Sequence, residues 1–531
     1  MNAQLPVLIV GAGPTGLMLA CELARRAVDF RIIDKKSGPV ATSNATWIQT
    51  RTLELLDQAG LVSPFIKAGH QCDGINLYVN GKHLITIPLN HIESSYPYIL
   101  MLPQSETESI LSDRIHEMNK NVERSTELTD VTQDESGVTA VLKNSREQRE
   151  IVKCRWLIAC DGASSTVRER CNVIFPGEDL TEQFMVADAH IDSFMAKNEA
   201  HLFFDEGTIF SASPLGSNKY RIAANLHLEH PRRTLYEKEI IELVQERGHG
   251  AYYVKDISWI SSFWVHGRVV KNMRQGSIFL AGDAAHIHSP AGGQGMNTGM
   301  QDAYNLGWKL AMVIQGKARL SLLDSYQEER HPVVNEIVNL TEHFTKLALY
   351  DTTFLTKLQK FSAKIMNGDE KTISHTGKII SQTGIRYQSS PVINYEEIVG
   401  AKCPGPGERM PDAKVDPKTR LYDFLRHPMH NVLMFTGISS KNSDIKKLAH
   451  IQEQLEQKYG DLLRTHVVAT DEVRELKNVI HDASGSVHEC FHINKPAVYI
   501  ARPDNYIGYC TTKLNLDSIT SFINRYFFIE Q

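Results

Sequence analysis

Two glycine-rich stretches, about 270 residues apart, carry the residue types and spacing that could do chemistry. The first is the run GAGPTG at residues 11–16, and the second spans residues 282–297. In the first run, Gly11 permits a tight turn, Gly13 lets backbone approach a pyrophosphate, and Gly16 lets a helix pack closely on a strand. A loop of this kind, taken alone, predicts only that a dinucleotide binds.

The elements around the first loop agree with that interpretation. Residues 5–10 form an apolar run typical of a buried strand, and a helix begins at Pro14 and Thr15, where its free amides favour a bound anion. A second predicted strand ends at Asp34, about 20 residues after the loop, where a carboxylate binds ribose hydroxyls. A glycine turn in an ordinary α/β domain is the alternative, and this agreement disfavours it.

The second stretch completes a binding site for a flat ring. The predicted strand at residues 276–281 leads into Gly282 and Asp283, whose carboxylate can accept hydrogen bonds from a sugar-like chain. The turn at residues 292–295 lets backbone amides approach a ring, and the helix that begins near Met296 stabilises negative charge there. A surface loop before a helix is the alternative. The two stretches together predict FAD and redox chemistry.

Composition limits the remaining possibilities. The chain has 531 residues and a net charge of −5, so two to four domains fit and nucleic acid is disfavoured as a partner. No apolar run is long enough to predict a membrane span, and the strand from residue 5 argues against a signal peptide. The eight cysteines form no C-x-x-C pair, which argues against a zinc ribbon and indicates a cytoplasmic protein.

The order of predicted elements divides the chain into three domains. Residues 181–267 alternate apolar and polar side chains, as an antiparallel sheet does, and the breaker-rich run at residues 403–408 marks a boundary. We predict a discontinuous FAD-binding domain at residues 1–72, 103–178 and 268–395, a substrate-binding sheet domain at residues 73–102 and 179–267, and a small α/β domain at residues 396–531.

These motifs resemble the class A flavoprotein monooxygenases of the para-hydroxybenzoate hydroxylase type. The run CDGASSTVR at residues 160–168 is similar to the family's Asp-Gly motif, and residues 282–297, continued by residues 302–310, are similar to its flavin motif. The cofactor-binding residues that the resemblance implies are Gly11, Gly13, Pro14, Thr15, Gly16, Asp34, Arg51, Gln104, Asp161, Arg168, Gly282, Asp283, Pro290, Gly293, Gly295, Met296 and Asn297.

The C-terminal domain resembles the thioredoxin-like tail of the phenol hydroxylase branch of that family. Residues 406–412 and 501–504 carry this likeness, and no cysteine pair accompanies it. The implied fold is α/β: a Rossmann-like FAD-binding domain, an interleaved antiparallel-sheet substrate domain and a C-terminal thioredoxin-like domain. Because residues 396–531 hold none of the motifs tied to chemistry, we expect their removal to leave flavin reduction intact.

Three positions depart from the family pattern. Asn44 stands where many members have an arginine that contacts the pyrophosphate, Asp34 stands where glutamate is usual, and Asn505 stands where glycine is common. Asparagine still tolerates a left-handed turn, whereas Asn44 removes a cationic contact to the cofactor.

The resemblance implies an FAD-dependent, NAD(P)H-consuming monooxygenase. NADH or NADPH would bind transiently and reduce non-covalent FAD, O2 would form a flavin hydroperoxide, and one oxygen atom would enter a phenolic or polyketide-like ring. No catalytic side chain is implied beyond Pro290, whose carbonyl would face the substrate. An FAD oxidase or halogenase and a non-catalytic flavin-binding protein remain as alternatives, and a homodimer is the assembly considered.

Two further groups of residues have competing interpretations. His286 and His288 lack a further ligand pattern, so hydrogen bonding is favoured over a metal site and no metal is predicted. Six aromatic residues either line a pocket or, as the favoured interpretation, fill the core; they are Phe203, Phe204, Phe210, Trp259, Phe263 and Trp264.

Overall fold

The computed structural model describes residues 4–39, 45–226, 235–395, 397–438 and 441–527. Its strands are β1 (Leu5–Val10), β2 (Phe30–Asp34), β3 (Trp47–Ile48), β4 (His70–Cys72), β5 (Gly74–Val79), β6 (Lys82–Pro88), β7 (Ile99–Met101), β8 (Val122–Arg124), β9 (Glu127–Asp134), β10 (Gly137–Lys143), β11 (Arg149–Ala159), β12 (Gly177–Ser193), β13 (Glu199–Asp205), β14 (Thr208–Gly216), β15 (Lys219–Leu226), β16 (Tyr252–Val269), β17 (Arg274–Gln275), β18 (Ile278–Leu280), β19 (His286–Ile287), β20 (His430–Phe435), β21 (Leu463–Ala469), β22 (Val479–His481), β23 (Ala497–Ala501) and β24 (Ile507–Thr511).

The helices are α1 (Pro14–Ala24), α2 (Thr50–Gln58), α3 (Val62–Ala68), α4 (Gln104–Glu117), α5 (Thr166–Arg170), α6 (Glu237–Arg247), α7 (Gly295–Ile314), α8 (Asp324–Tyr350), α9 (Phe354–Met366), α10 (Glu370–Ser381), α11 (Asn442–Tyr459), α12 (Ser486–Cys490) and α13 (Leu516–Tyr526). The sequence of residues 232–248 has a helical pattern, and α6 lies within it; the first residues of that range, like Asn44, lie outside the described residues. None of the described helices is long and apolar enough to cross a membrane.

The first sheet has a parallel core, in the order β18-β11-β1-β2-β8. Strand β1 is apolar along its length and lies between β11 and β2, and its residues 7–10 are buried, as is usual for a strand of a parallel sheet covered on both faces. Four neighbouring strands of this sheet, β18, β11, β1 and β2, run in the same direction. Their carboxyl ends therefore meet at one edge, where ligands bind in sheets of this type.

The second sheet is mostly antiparallel, in the order β19-β16-β12-β15-β14-β13-β5-β6. Its one parallel pair is β13 with β5, which joins the segment near residue 75 to the sheet formed after residue 177. Alternation along these strands buries one set of side chains against α8 and α9, as the ring contacts of Phe204 with Phe344 and Phe354 show. Helix α6 packs in a separate cluster with Phe203 and Phe210 of the neighbouring strands.

The C-terminal unit, described at residues 397–438 and 441–527, has its own sheet in the order β22-β21-β20-β23-β24. Strands β20, β21 and β22 are parallel, whereas β23 and β24 run antiparallel to their neighbours. The unit docks on the rest of the chain through buried charges: Arg502 donates to Glu329 of α8 at 2.6 and 2.8 Å, and Arg409 donates to Glu54 of α2. It is therefore packed against the core and not linked to it as a detached module.

Candidate functional site

A cavity of about 600 Å³ lies between the carboxyl edge of the first sheet and the inner face of the second. Gly11 follows β1, Asp34 ends β2, Asp161 follows β11 and Asp283 follows β18, so the parallel strands bring together residues up to 270 positions apart. The predicted residues that line this cavity are Gly11, Gly13, Pro14, Thr15, Asp34, Gln104, Asp161, Asp283, Pro290, Gly293, Gly295 and Met296. The volume is in the usual range for cofactor and small-molecule sites.

The glycines of the first loop have separable roles. A Cβ on Gly11 would lie 2.2 Å from the carbonyl oxygen of Cys160, and a Cβ on Gly16 would lie 2.0 Å from that of Gly11, so both are required by close packing of backbone. A Cβ on Gly13 would meet no protein atom within 4 Å. Protein packing therefore does not explain Gly13, whereas a group held in the cavity against this loop does.

Asp34 is held in place by the loop that it faces. Its carboxylate accepts hydrogen bonds from the amides of Ala12 at 2.7 Å and Lys36 at 2.8 Å, and Arg124 lies 3.8 Å away. The Ala12 contact ties the end of β2 to the glycine loop after β1. A ribose bound at this end would thus meet a carboxylate whose position is already fixed.

Asp283 contrasts with Asp34, because the described residues offer its carboxylate no hydrogen-bond partner. The side chain is exposed to the cavity but lies deep in the protein, where burial raises its pKa and His286 lowers it only in part. A buried carboxylate without donors is costly unless a ligand supplies them. The hydroxyl-rich ribityl chain of FAD has the donors that this position lacks.

Asp161 lines the same wall with a carboxylate that is already used. It accepts hydrogen bonds from the Ser165 hydroxyl at 2.6 Å and the Val167 amide at 3.1 Å, which fixes the start of α5. Burial raises the pKa of Asp161, and these hydrogen bonds offset part of that rise. Asp161 therefore contributes to the shape of the cavity wall next to the glycine loop.

Five predicted cofactor-binding residues do not line the cavity, and each has a different structural role. Gly16 packs against Gly11, and Gly282 has φ +58° with Thr15 too close for any Cβ. Arg168 donates to the carbonyls of Ala163 and Ala284 and so fastens the two motifs together. The Arg168 side chain and the backbone at Gly16 and Gly282 are therefore engaged with protein atoms before any ligand binds.

Arg51 and Asn297 require the clearest correction. Arg51 is fully buried beside Glu54 and donates to the carbonyl of Asp504, so it belongs to the contact with the C-terminal unit. The Asn297 side chain donates to the carbonyls of Trp47 and Gly293 and accepts from the amide of Gln49, so it holds the ring-binding loop instead of pointing at a ligand. Motif position alone could not distinguish these roles.

A buried ion cluster supports the loop from below, and sequence reasoning missed it. Asp302 accepts hydrogen bonds from Arg330 at 2.7 Å and from the Gly282 amide at 3.2 Å, and it pairs with His286 at 2.6 Å. Burial raises the pKa of Asp302, but Arg330 and His286 hold it below its usual value. The available signal was the position of Asp302 two turns into α7, on the face toward Gly282.

The two histidines of the loop are used in hydrogen bonds. His286 pairs with Asp302, and the Nδ1 atom of His288 donates to the carbonyl of Ser289 at 2.7 Å. Burial lowers the pKa of His288 to about 4, so its ring is neutral at ordinary pH. Among the described residues no group of three or more His, Cys, Asp or Glu side chains could hold a metal ion.

The far end of the cavity is aromatic and carries one buried ion pair. Phe263 and Trp264 of β16 and Phe344 of α8 line it, whereas the other four predicted aromatic residues do not; those are Phe203, Phe204, Phe210 and Trp259. Arg221 also lines it and donates to Asp188 through Nε and Nη2, the latter at 3.0 Å. The six predicted aromatic residues are thus divided between core and cavity. Arg221, an arginine in an apolar strand, was the sequence signal for the buried ion pair, and sequence reasoning missed it.

A family model described as an FAD binding domain matches residues 4–341 of this chain. Pentachlorophenol 4-monooxygenase of Sphingobium chlorophenolicum is 30% identical over 519 residues, which cover 95% of this chain and 94% of the relative. An uncharacterised aromatic compound monooxygenase of Bacillus subtilis is 32% identical over 475 residues, 88% of this chain and 93% of that protein. Among solved structures, the anhydrotetracycline hydroxylase of Streptomyces rimosus has a TM-score of 0.74 at 28% identity, with 98% and 99% of the two chains covered.

Proposed function

This chain belongs to the FAD-binding family of aromatic monooxygenases, and we propose that it hydroxylates a phenolic or polyketide-like ring with electrons from NADH or NADPH. The enzyme is an FAD-dependent monooxygenase. The observation that carries the proposal is one continuous cavity lined by aromatic side chains and by Asp283, whose carboxylate has no partner among the described residues. Such a cavity has room for a cofactor at one end and an aromatic compound at the other.

The residues present fit FAD. Gly13 leaves space for the pyrophosphate at the N-terminus of α1, Asp34 is placed for the ribose, and Asp283 needs hydroxyl donors. The loop at residues 293–296 lines the cavity at the start of α7, where free amides stabilise negative charge. When bound, FAD supplies the electron transfer and oxygen activation, and the protein supplies position and electrostatics.

The chain's own residues then orient the substrate and exclude water. Phe263, Trp264 and Phe344 offer a desolvated surface that matches a flat apolar ring. Pro290 lines the cavity between the glycine loop and this surface, which supports the proposal that its carbonyl faces the substrate. The Arg221–Asp188 pair adds a polar group at the wall for a phenolic or carbonyl oxygen.

We propose that the nicotinamide cofactor binds transiently and that FAD binds without a covalent bond. The sequence has one dinucleotide-binding loop, which FAD occupies, so the nicotinamide cofactor has no nucleotide-binding domain of its own. Cys160 lines the cavity, but burial raises the pKa of its thiol well above the usual value, so it is a poor nucleophile. Acid precipitation of the holoenzyme should release all of the yellow colour into the supernatant; colour retained in the pellet contradicts this part.

The C-terminal unit supports the proposal of a thioredoxin-like fold without redox function. Three parallel strands followed by two antiparallel ones, with helices α11 and α13, agree with that fold. A cytoplasmic location, which agrees with eight cysteines that form no C-x-x-C pair, and a homodimer complete the proposal. Sedimentation of the holoenzyme tests the dimer, and a single species of about 60 kDa would contradict it.

The decisive experiment measures NAD(P)H oxidation by the holoenzyme with a panel of phenols and aromatic polyketides under ¹⁸O2. We expect at least one compound to stimulate oxidation and to gain one ¹⁸O atom. Hydrogen peroxide formation without labelled product would indicate an oxidase, and incorporation of halide would indicate a halogenase. No oxidation with any compound would support a non-catalytic flavin-binding protein.

A further inference from the structure

Three buried glutamine side chains form a chain of hydrogen bonds that ends at the ring-binding loop. Gln301 of α7 donates through Nε2 to the side-chain oxygen of Gln382 at 2.6 Å, and Gln382 donates through Nε2 to that of Gln294 at 2.7 Å. The exposed fractions of Gln301, Gln382 and Gln294 are 4%, 2% and 6%. Buried amides in such a chain have fixed orientations, because turning one would leave its neighbours unpaired.

The direction of this chain is set by a fourth residue. Thr298 donates its hydroxyl proton to the carbonyl of Gln294 at 2.9 Å, so its oxygen is left to accept. Gln382 places one amide atom 3.5 Å from that oxygen and 2.7 Å from the Gln294 side chain. Only an amide NH2 group satisfies both neighbours, which makes the atom nitrogen and the facing Gln294 atom oxygen.

The orientation of Gln294 follows from this arrangement. With its oxygen turned toward Gln382, its NH2 group lies about 3.5 Å from the position of a Cβ on Gly292, in the loop that lines the cavity. Within the described residues no acceptor faces this NH2 group. Two donors are therefore presented to whatever occupies the cavity at this loop.

Gln382 reaches this site from outside the matched family domain. The match ends at residue 341, whereas Gln382 follows α10. The φ of Gln382 is +58°, a backbone conformation that residues other than glycine rarely adopt. The left-handed residue ends α10 where the chain passes over α7. The backbone at the end of α10 is shaped so that the Gln382 amide reaches a loop that another part of the chain builds.

We propose that Gln382 is a positioning residue that holds the Gln294 NH2 group toward the flavin ring. The inference rests on FAD being the cofactor of the cavity and not on the electron donor or the substrate. An amide donor at the ring stabilises the reduced, more negative flavin relative to the oxidised flavin. Removal of Gln382 should then change the flavin as removal of Gln294 does, although Gln382 itself does not line the cavity.

The test compares Gln382→Met, Gln294→Met and the double variant, with Gln452→Met as the matched control. Gln452 is also buried, at 3% exposure, and donates to Thr465 and Lys477 in the C-terminal unit, away from the cavity. The readouts are the visible absorption spectrum of bound FAD and its two-electron reduction potential, measured by photoreduction against a reference dye. Neither readout requires NAD(P)H or substrate.

We expect Gln294→Met to lower the preference for reduced over oxidised flavin roughly threefold to tenfold, as loss of one hydrogen bond predicts. This equals a shift of about 14–30 mV to lower potential, since tenfold is about 30 mV for two electrons. Gln382→Met should give at least half of the shift and the double variant no more than Gln294→Met alone. Gln452→Met should lower the melting temperature without moving the potential.

Three results would overturn the proposal: no shift in Gln294→Met, no shift in Gln382→Met, or additive shifts in the double variant. Should Gln382→Met not fold, Gln382→Glu keeps the size of the side chain. Its protonated form still donates to Gln294, whereas its carboxylate accepts and turns the Gln294 oxygen toward the ring. The flavin spectrum of Gln382→Glu should therefore titrate with pH, and a spectrum as independent of pH as that of the wild type contradicts the proposal. Failure of the wild type to bind FAD would instead contradict the proposed function.

Discussion

At the cavity, Asp283 presents a carboxylate that no described residue satisfies, and burial raises its pKa. At the contact with the C-terminal unit, Glu329 is fully buried and accepts hydrogen bonds from Lys309, Asn305, Ser390 and Arg502. Burial alone would raise the pKa of Glu329, yet Arg502 and Lys309 bring it far below its usual value. A carboxylate that receives no hydrogen bond from the protein thus indicates a ligand site. A carboxylate whose donors all come from the protein indicates a contact that stabilises the fold.

Removal of residues 396–531 is the strongest test of that distinction. The sequence alone favours a C-terminal unit that flavin reduction does not need, but its loss would remove Arg502 from the buried Glu329 and Arg409 from the buried Glu54. We expect the truncated chain to be insoluble or to unfold below the melting temperature of the full chain. A soluble truncation that melts like the full chain would show that the buried charges are not what joins the two parts.

Arg502→Met breaks the same contact with one substitution. It leaves Glu329 with Lys309 as its one cationic partner among the described residues and removes the main partner of Asp504, which should cost about 3–5 kcal/mol of unfolding free energy. The matched control is Arg386→Met, at a half-exposed pair with Glu408, for which a cost below about 1 kcal/mol is expected. Urea unfolding of both variants measures the difference, and equal costs would contradict the role assigned to Arg502.

Asp283→Asn tests the cavity side, and we expect opposite effects on binding and stability. Loss of charged hydrogen bonds to FAD should raise its Kd about 10- to 100-fold. The folded pKa of Asp283 exceeds the ordinary 3.8, so its favourable contribution is present below pH 3.8 and is lost as pH rises through the folded value. At pH 7 the apoprotein should therefore lose no stability on substitution.

Glu54→Gln is the comparison for that variant, because Arg409, Arg51 and Ser94 surround its carboxylate. These partners lower the pKa of Glu54 against the effect of burial, so the same change of acid to amide should destabilise the apoprotein. Melting curves of the two apoproteins at pH 7, with fluorescence titration of FAD, give both quantities. Similar losses of stability in the two variants would remove the distinction between the regions.

His430→Phe gives the smallest expected effect and concerns acid stability at the contact. His430 packs against Trp308 and Phe527, and burial lowers its pKa to about 3. Because the folded pKa is below the ordinary 6.5, this histidine's contribution is present above pH 6.5 and is lost as pH falls. The variant should lose about 1 kcal/mol less per pH unit between pH 6.5 and 5.5, by urea unfolding. An unchanged slope would show that His430 is not the group that titrates.

Local rules were sufficient wherever one segment determines its own shape. The strand, glycine turn and helix at residues 5–24 and the strand leading to Gly282 are found where the sequence predicted them, because a buried run followed by glycine has few conformations. The glycine roles at Gly11 and Gly16 follow from the same packing.

Side-chain direction was beyond local rules. Arg51 lies in a segment typical of the cofactor site yet contacts Asp504, about 450 positions later, and the aromatic residues near Phe203 and Phe263 divide between core and cavity. Which face of a strand meets a ligand depends on what packs on the other face. The chain of Gln301, Gln382 and Gln294 likewise joins residues that no spacing rule connects.

The sequence by itself determined the FAD-binding motifs, the alternation of the second sheet and the family, because each is written in residue types at fixed short spacing. Tertiary structure decided which carboxylates receive hydrogen bonds from the protein and which are left to bind a ligand, since partners such as Arg502 and Glu329 are 173 positions apart. It also decided that charged residues of the C-terminal unit pair with buried charged residues of the rest of the chain. Desolvation makes these long-range pairings strong, and only the folded chain brings the charges out of water together.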